Sequence, residues 1–309
     1  MLSSTTKKIL KRTALVAGVL VAAGGTSAGV FAAVDGSAYD ESMNKTYDVP
    51  LPGIVRSTDP AVIARGKHLV QSVAGCADKN CHGADLAGGT PIQLGPLGTA
   101  AAPNITPGNL GAAYGDGELA RLIRHGIKRD GRSVLFMPVR DFRWFSDADV
   151  TAVVSYLRAV PPVDRPNEPS SVSALGKVLD RHDQVDLDIA RRIDHGSFQQ
   201  PPQPAPTAEY GRALANTCTG CHGDHLSGGH IPGTPPSMPT PRNLTPDATG
   251  LAGWTYDDFA RALTQGVRKD GTKIDAFMPF EEFAGLDDVE KHALWEYVRG
   301  LPARPFGQR

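Results

Sequence analysis

Apolar residues return at helical spacing in two windows of the first half of the chain. Leu119, Leu122, Ile123 and Ile127 share one face and predict a helix over 116–128. Val150, Val153, Val154 and Leu157 form a second stripe and predict a helix over 147–159. Asp147 and Asp149 fall in its first turn, where the helix dipole favours negative charge, and Pro161-Pro162 stops it. A further helix is expected from about 61 to 74, because Asp59 is a good N-cap and Pro60 suits a first turn. It leads straight into Cys76. Residues 83–111 are rich in Gly and Pro and predict loop.

A different pattern fills the N-terminus. Residues 13–34 carry no charged side chain and are rich in Ala, Val, Gly and Leu. As a helix they would reach about 33 Å, enough to span hydrocarbon. Lys7, Lys8, Lys11 and Arg12 precede them and would stay on the cytoplasmic side. Two readings stand: a retained transmembrane anchor, which the length favours, or a cleaved signal peptide. The latter would have its apolar core at Ala14–Ala23 and its cleavage site at Val30-Phe31-Ala32, with Gly24-Gly25 weakening the helix. Both carry the rest of the chain out of the cytoplasm. Residues 35–58 are polar and read as a tether. The proline-rich stretch 166–206 reads as a linker. Its segment 174–193, with Leu175, Val178, Leu179, Leu187 and Ile193, reads as a short helical spacer packed on one domain; a partner-docking segment is the rival. The expected organisation is therefore 1–34 anchor or signal, 35–58 tether, 59–165 first domain, 166–206 linker and 207–309 second domain.

The second domain repeats the first. Tyr210-Gly211-Arg212 answers Arg65-Gly66-Lys67, and Asn243-Leu244-Thr245-Pro246 answers Asn104-Ile105-Thr106-Pro107. Asp270-Gly271 answers Asp130-Gly131, and Phe277-Met278-Pro279 answers Phe136-Met137-Pro138. Tyr297, followed by Pro302, answers Tyr156 followed by Pro161. A period this long means duplicated domains. Glycine at 66 and 211 and tyrosine at 156 and 297 predict that the first and last helices of each domain cross closely.

The chemistry sits in the four cysteines. Cys218-Thr219-Gly220-Cys221-His222 has the spacing for covalent attachment of haem c, with the adjacent imidazole placed to bind iron. Cys76, Cys81 and His82 form a second copy with four residues, not two, between the thiols. A disulfide, a zinc site or a redox dithiol would also use such residues. Zinc wants four well-separated ligands, and a thioredoxin-like pair wants a βαβ setting. A disulfide between Cys218 and Cys221 stays open but leaves His222 unexplained. Met137 and Met278 follow their histidines at matched distances, each before a proline that favours extended backbone, and thioether sulfur suits the sixth iron position. His225 and His230 lie near the second motif and have no counterpart in the first half.

By these motifs each half resembles a class I cytochrome c domain, over about 60–165 and 207–305. The tandem is similar to membrane-anchored di-haem cytochromes and to the cytochrome subunits of bacterial alcohol, aldehyde and sugar-acid dehydrogenases. The resemblance implies an all-α fold around two haem c groups, with iron held by His82 and Met137 in one and by His222 and Met278 in the other. The long Cys76–Cys81 gap departs from the family pattern and puts the geometry of the first attachment in doubt. The resemblance further implies an electron carrier and not an enzyme. Its partners would be a redox donor and acceptor at the periplasmic face: a dehydrogenase, a quinol-oxidising complex or a terminal oxidase. A di-haem peroxidase is the rival. It needs an iron with an exchangeable position, which methionine in both copies opposes. The formal net charge of −1 gives no argument for nucleic acid.

Overall fold

The computed structural model describes residues 29, 32–196, 201–232, 234 and 236–309. Most of the expected anchor, 13–34, lies outside the described residues. Among those described, no helix is long and apolar enough to cross a membrane.

The first half opens with helix α1 (32–44) and α2 (Pro60–His68), whose N-cap Asp59 accepts a hydrogen bond from the Ala61 N–H. A π-helical turn, Leu69–Val73, carries α2 on towards Cys76. Then come α3 (Leu110–Ala113), α4 (Asp116–His125), α5 (Val139–Phe142) and α6 (Asp147–Ala159). Helix α6 matches its predicted bounds, because Ser146 and Asp149 form a reciprocal capping box at its start. Helix α4 ends at His125 instead of 128, where Gly126 turns left-handed. The second half contains α8 (Ala208–Leu214), α9 (Asn216–His222), α10 (Tyr256–Gln265), α11 (Phe280–Phe283) and α12 (Asp288–Arg299). It follows the order of the first half, as the duplication requires.

The predicted helix crossing is present twice. A Cβ on Gly66 would overlap the Ala152 carbonyl oxygen and stand 2.8 Å from the Tyr156 Cβ. A Cβ on Gly211 would overlap the Ala293 carbonyl oxygen and stand 2.9 Å from the Tyr297 Cβ. Only glycine lets α2 meet α6, and α8 meet α12, this closely.

Three stretches differ from the expectation drawn from sequence. Residues 32–44, expected as the end of an anchor and the start of a tether, form a docked helix. Lys177 bonds the Asp40 carboxylate and the Ser42 hydroxyl bonds Asp188, so α1 lies against the linker. The glycine-rich region 83–111 contains strands β1 (Ile92–Gln93) and β2 (Gly98–Ala100). The linker supplies β3 (Ser171–Val172), giving an antiparallel sheet in the order β1-β2-β3. The molecule is thus helix-rich with a small sheet. The linker then forms α7 (Ala174–Arg181), shorter than the amphipathic segment suggested, and is fastened by the buried Asp180 carboxylate. That carboxylate accepts from the Leu187 and Asp188 N–H groups and pairs with Arg191 and Arg192.

The buried apolar residues of both halves merge into one cluster. Trp144 of the first half meets Tyr210 of the second edge-on at 6.1 Å. Arg65 and His68 on α2 both reach Glu290 on α12, which is 1% exposed. Helix α5 packs on α9, and α11 packs on the π turn after α2. In each half, the element just after the methionine leans on the cysteine region of the other half.

Candidate functional site

The second motif is helical. Helix α9 places Cys218 and Cys221 about one turn apart with His222 as its last residue, and Gly223, whose φ is +82°, redirects the chain. The first motif cannot stay helical with two extra residues between its thiols. It breaks into turns after Gly75 (φ +60°), with Cys81 and Gly83 both donating to the Asp78 carbonyl.

The histidines nevertheless end in the same arrangement. His82 Nδ1 lies 2.8 Å from the Pro103 carbonyl oxygen, and His222 Nδ1 lies 2.7 Å from the Arg242 carbonyl oxygen. A carbonyl can only accept, so Nδ1 carries the proton in both rings and Nε2 keeps its lone pair. Burial lowers the pKa of both imidazoles, which favours the neutral ligand form.

Those two carbonyls come from the residues before Asn104 and Asn243, which sequence reading recognised only as part of a repeat. Asn104, fully buried, donates through Nδ2 to the Val163 and Arg165 carbonyls. Its Oδ1 accepts from the N–H and hydroxyl of Thr106. Asn243 does the same with Arg304 and Thr245. Each asparagine therefore ties the loop behind a histidine to the chain that follows the last helix. The repeated Asn-x-Thr-Pro was the signal for this second layer, but a local motif does not say which histidine its neighbour's carbonyl would face.

All four cysteines are free thiols. Burial pushes Cys76, Cys81 and Cys218 up to about 12 and raises Cys221 as well. A redox dithiol needs the opposite shift. Among the described residues, the group of His, Cys, Asp and Glu that brings three ligand atoms together is His68, Asp287 and Glu290, so neither cysteine motif forms a zinc-like cluster. Cys76, Cys218, Met137 and Met278 are half-buried and pack against the common apolar cluster. Neutral thiols, a neutral imidazole with one nitrogen spare, and a thioether in an apolar setting are donors that suit covalently attached haem.

His225 is exposed. His230 Nε2 is spent on the Thr234 carbonyl.

The fructose dehydrogenase cytochrome subunit of Gluconobacter japonicus is 29% identical over 113 residues, 32% of this chain and 23% of that protein. The gluconate 2-dehydrogenase cytochrome c subunit of Pantoea cypripedii is 36% identical over 90 residues, 28% of this chain and 20% of that protein. The chain is similar to cytochrome c subunits of bacterial dehydrogenases. A longer match supports this: the alcohol dehydrogenase (quinone) cytochrome c subunit of Komagataeibacter europaeus is 28% identical over 294 residues, 81% of this chain. That match covers 58% of the relative, so the chain spans less than two thirds of each of these proteins. No family model matches the chain.

Proposed function

We propose that this chain is an electron-transfer cytochrome that holds two haem c groups, one in each half. Cys76 and Cys81 would hold the first and Cys218 and Cys221 the second. His82 with Met137, and His222 with Met278, would bind the two irons. When bound, the iron supplies reversible one-electron exchange. The observation that carries the reading is the duplicated histidine setting, in which Nδ1 is spent on a backbone carbonyl and Nε2 is left for a metal.

The protein's own residues have defined tasks in this reading. The Nδ1–H bonds fix each ring's tautomer and orientation and raise the basicity of Nε2. Asn104 and Asn243 hold the carbonyls in place. Met137 and Met278, carried on Phe-Met-Pro and packed against the apolar cluster, would hold the irons together with the histidines and so keep out exchangeable small ligands. The apolar cluster excludes water, which keeps reorganisation on electron exchange small.

The likeness to dehydrogenase cytochrome subunits supports a dehydrogenase as the donor, with a membrane oxidase or quinone-linked complex as the other partner. The uncharged stretch 13–34 supports delivery to the periplasmic side, as anchor or signal. Spectral titration of the purified protein tests the assignment. Two haems per chain and a near-infrared methionine–iron(III) band from each are expected. One haem per chain, or a high-spin oxidised centre that turns over peroxide, would count against it.

A further inference from the structure

The two halves exchange acidic side chains across their interface at matching positions. Asp141 is the fourth residue after Met137, and Glu282 is the fourth after Met278. Asp141 stands on α5, which packs on α9, and its charge acts on Cys218 and Cys221 of the other half and on Cys81 of its own. Glu282 stands on α11, which packs on the turn after α2. Its Oε2 lies 3.2 Å from where a Gly75 Cβ would be, and its charge acts on Cys76 and Cys81. It is also within hydrogen-bonding reach of Asp78, one of the residues in the four-residue gap of the first motif. The unusual gap thus places a carboxyl against a carboxyl from the opposite half.

Cations that act on these two carboxyls are Arg140 and Lys79. Arg140 on α5 faces Asp141, and Lys79 faces Glu282, while Glu281 and Asp78 oppose it. Arg309 lies by Cys221. Neither acidic group acts on His82 or His222, whose nearest influences are their own carbonyl partners and, for His222, Arg309. The thiols would cease to titrate once joined to haem. Asp141 and Glu282 are both partly buried, and partly buried carboxyls with weak compensation bind protons more readily than exposed ones. Burial first, partly offset by Arg140, raises Asp141 to about 7. Burial first, and then Asp78, raises Glu282 to about 8.

We propose that Asp141 and the Asp78–Glu282 pair are a proton-binding site that loads when the neighbouring haem is reduced. The inference rests on the two-haem reading above. With haem bound, an electron from a reduced partner protein would take its iron from +3 to +2. The site loses one unit of nearby positive charge, so the adjacent carboxylate binds a proton from solvent and becomes a carboxylic acid. Reoxidation by the acceptor returns the proton. Up to one proton therefore accompanies each electron.

The test is spectroscopic redox titration of the purified full chain between about pH 6 and 9, the range set by carboxyls raised from their ordinary values. Haem content is measured first on the same sample. Midpoint potentials should fall as pH rises, with a slope approaching the limit of about 59 mV per tenfold change in proton activity for a one-electron step. Asp141→Asn should flatten the dependence of one haem, and Glu282→Gln that of the other. The reduced-minus-oxidised infrared spectrum should contain a protonated-carboxyl band that disappears in the matching variant. Asp78→Asn, which leaves the interface carboxyl of Glu282 in place, should also shift that band. Fewer than two haems would overturn the functional reading. Two haems with pH-independent potentials, or a slope and band unchanged in both variants, would overturn the proton site alone.

Discussion

Two backbone carbonyls govern the chemistry available to His82 and His222. By accepting from Nδ1 they leave the outer nitrogen with its lone pair free, and burial favours the neutral ring. The asparagine behind each loop is therefore a structural requirement of the site. Asn243, 1% exposed, donates to the Arg304 carbonyl and Thr249 hydroxyl and accepts twice from Thr245. Asn243→Ala leaves several buried groups unpaired and should cost about 3 kcal/mol, read from the denaturant midpoint. If the second motif binds haem as proposed, its methionine–iron band should broaden or move in the same variant, because the histidine loses its fixed orientation. A normal spectrum with unchanged stability would contradict the role given to this loop.

At the scale of elements, the two crossings of first and last helix hold each half together. The overlap that any Cβ would make with the Ala152 or Ala293 carbonyl oxygen leaves no room for adjustment by a flexible side chain. Gly66→Ala and Gly211→Ala should each destabilise by about 2 kcal/mol, since a backbone must shift to admit the methyl group. Thermal unfolding checks this, and an effect confined to helix propensity would have the opposite sign. The helix windows 116–128 and 147–159 were legible because their apolar spacing and caps are local. The strands of the small sheet were not. Strands of two or three residues carry no periodicity, and β3 pairs with β2 across some seventy residues of sequence. Helix α1 was missed for a related reason: its polar residues suit a tether as well as a docked helix, and the choice depends on Lys177 and Asp188 far along the chain.

At the scale of the molecule, the interface between the halves is stabilised by buried charge as well as by apolar packing. Burial alone would raise the Glu290 carboxyl, but the hydrogen bond and charge of His68, the Asp287 N–H and Arg65 together hold it below the ordinary value. A depressed carboxyl contributes stability above its unfolded pKa and loses it as pH falls through the folded one, so this contribution fades below about pH 4. Glu290→Ala should cost about 3 kcal/mol at neutral pH, because Arg65 and His68 lose their buried partner. Calorimetry should show the two halves unfolding less cooperatively in this variant. Asp141 and Glu282 act in the opposite sense. Their raised folded values mean that the native state binds more protons than the unfolded chain, so stability falls as pH rises from about 4 towards 8. Asp141→Asn should make that fall shallower in denaturation series across this range, and an unchanged slope would show that the residue titrates normally.

The duplication, the two cysteine motifs with their histidines, and the paired Phe-Met-Pro segments were set by the order of residues, because attachment chemistry and repeat spacing are properties of the chain itself. So were the main helices, whose stripes and caps act over a few residues. The tertiary structure decided which carbonyl each histidine meets, how the longer first motif still presents His82, and which acids of one half reach the cysteines of the other. Arg65 and Glu290, or Gly75 and Glu282, are separated by more than two hundred residues in sequence. Their meeting follows from how two similar folds bury their shared apolar faces, and no local pattern of residues encodes that.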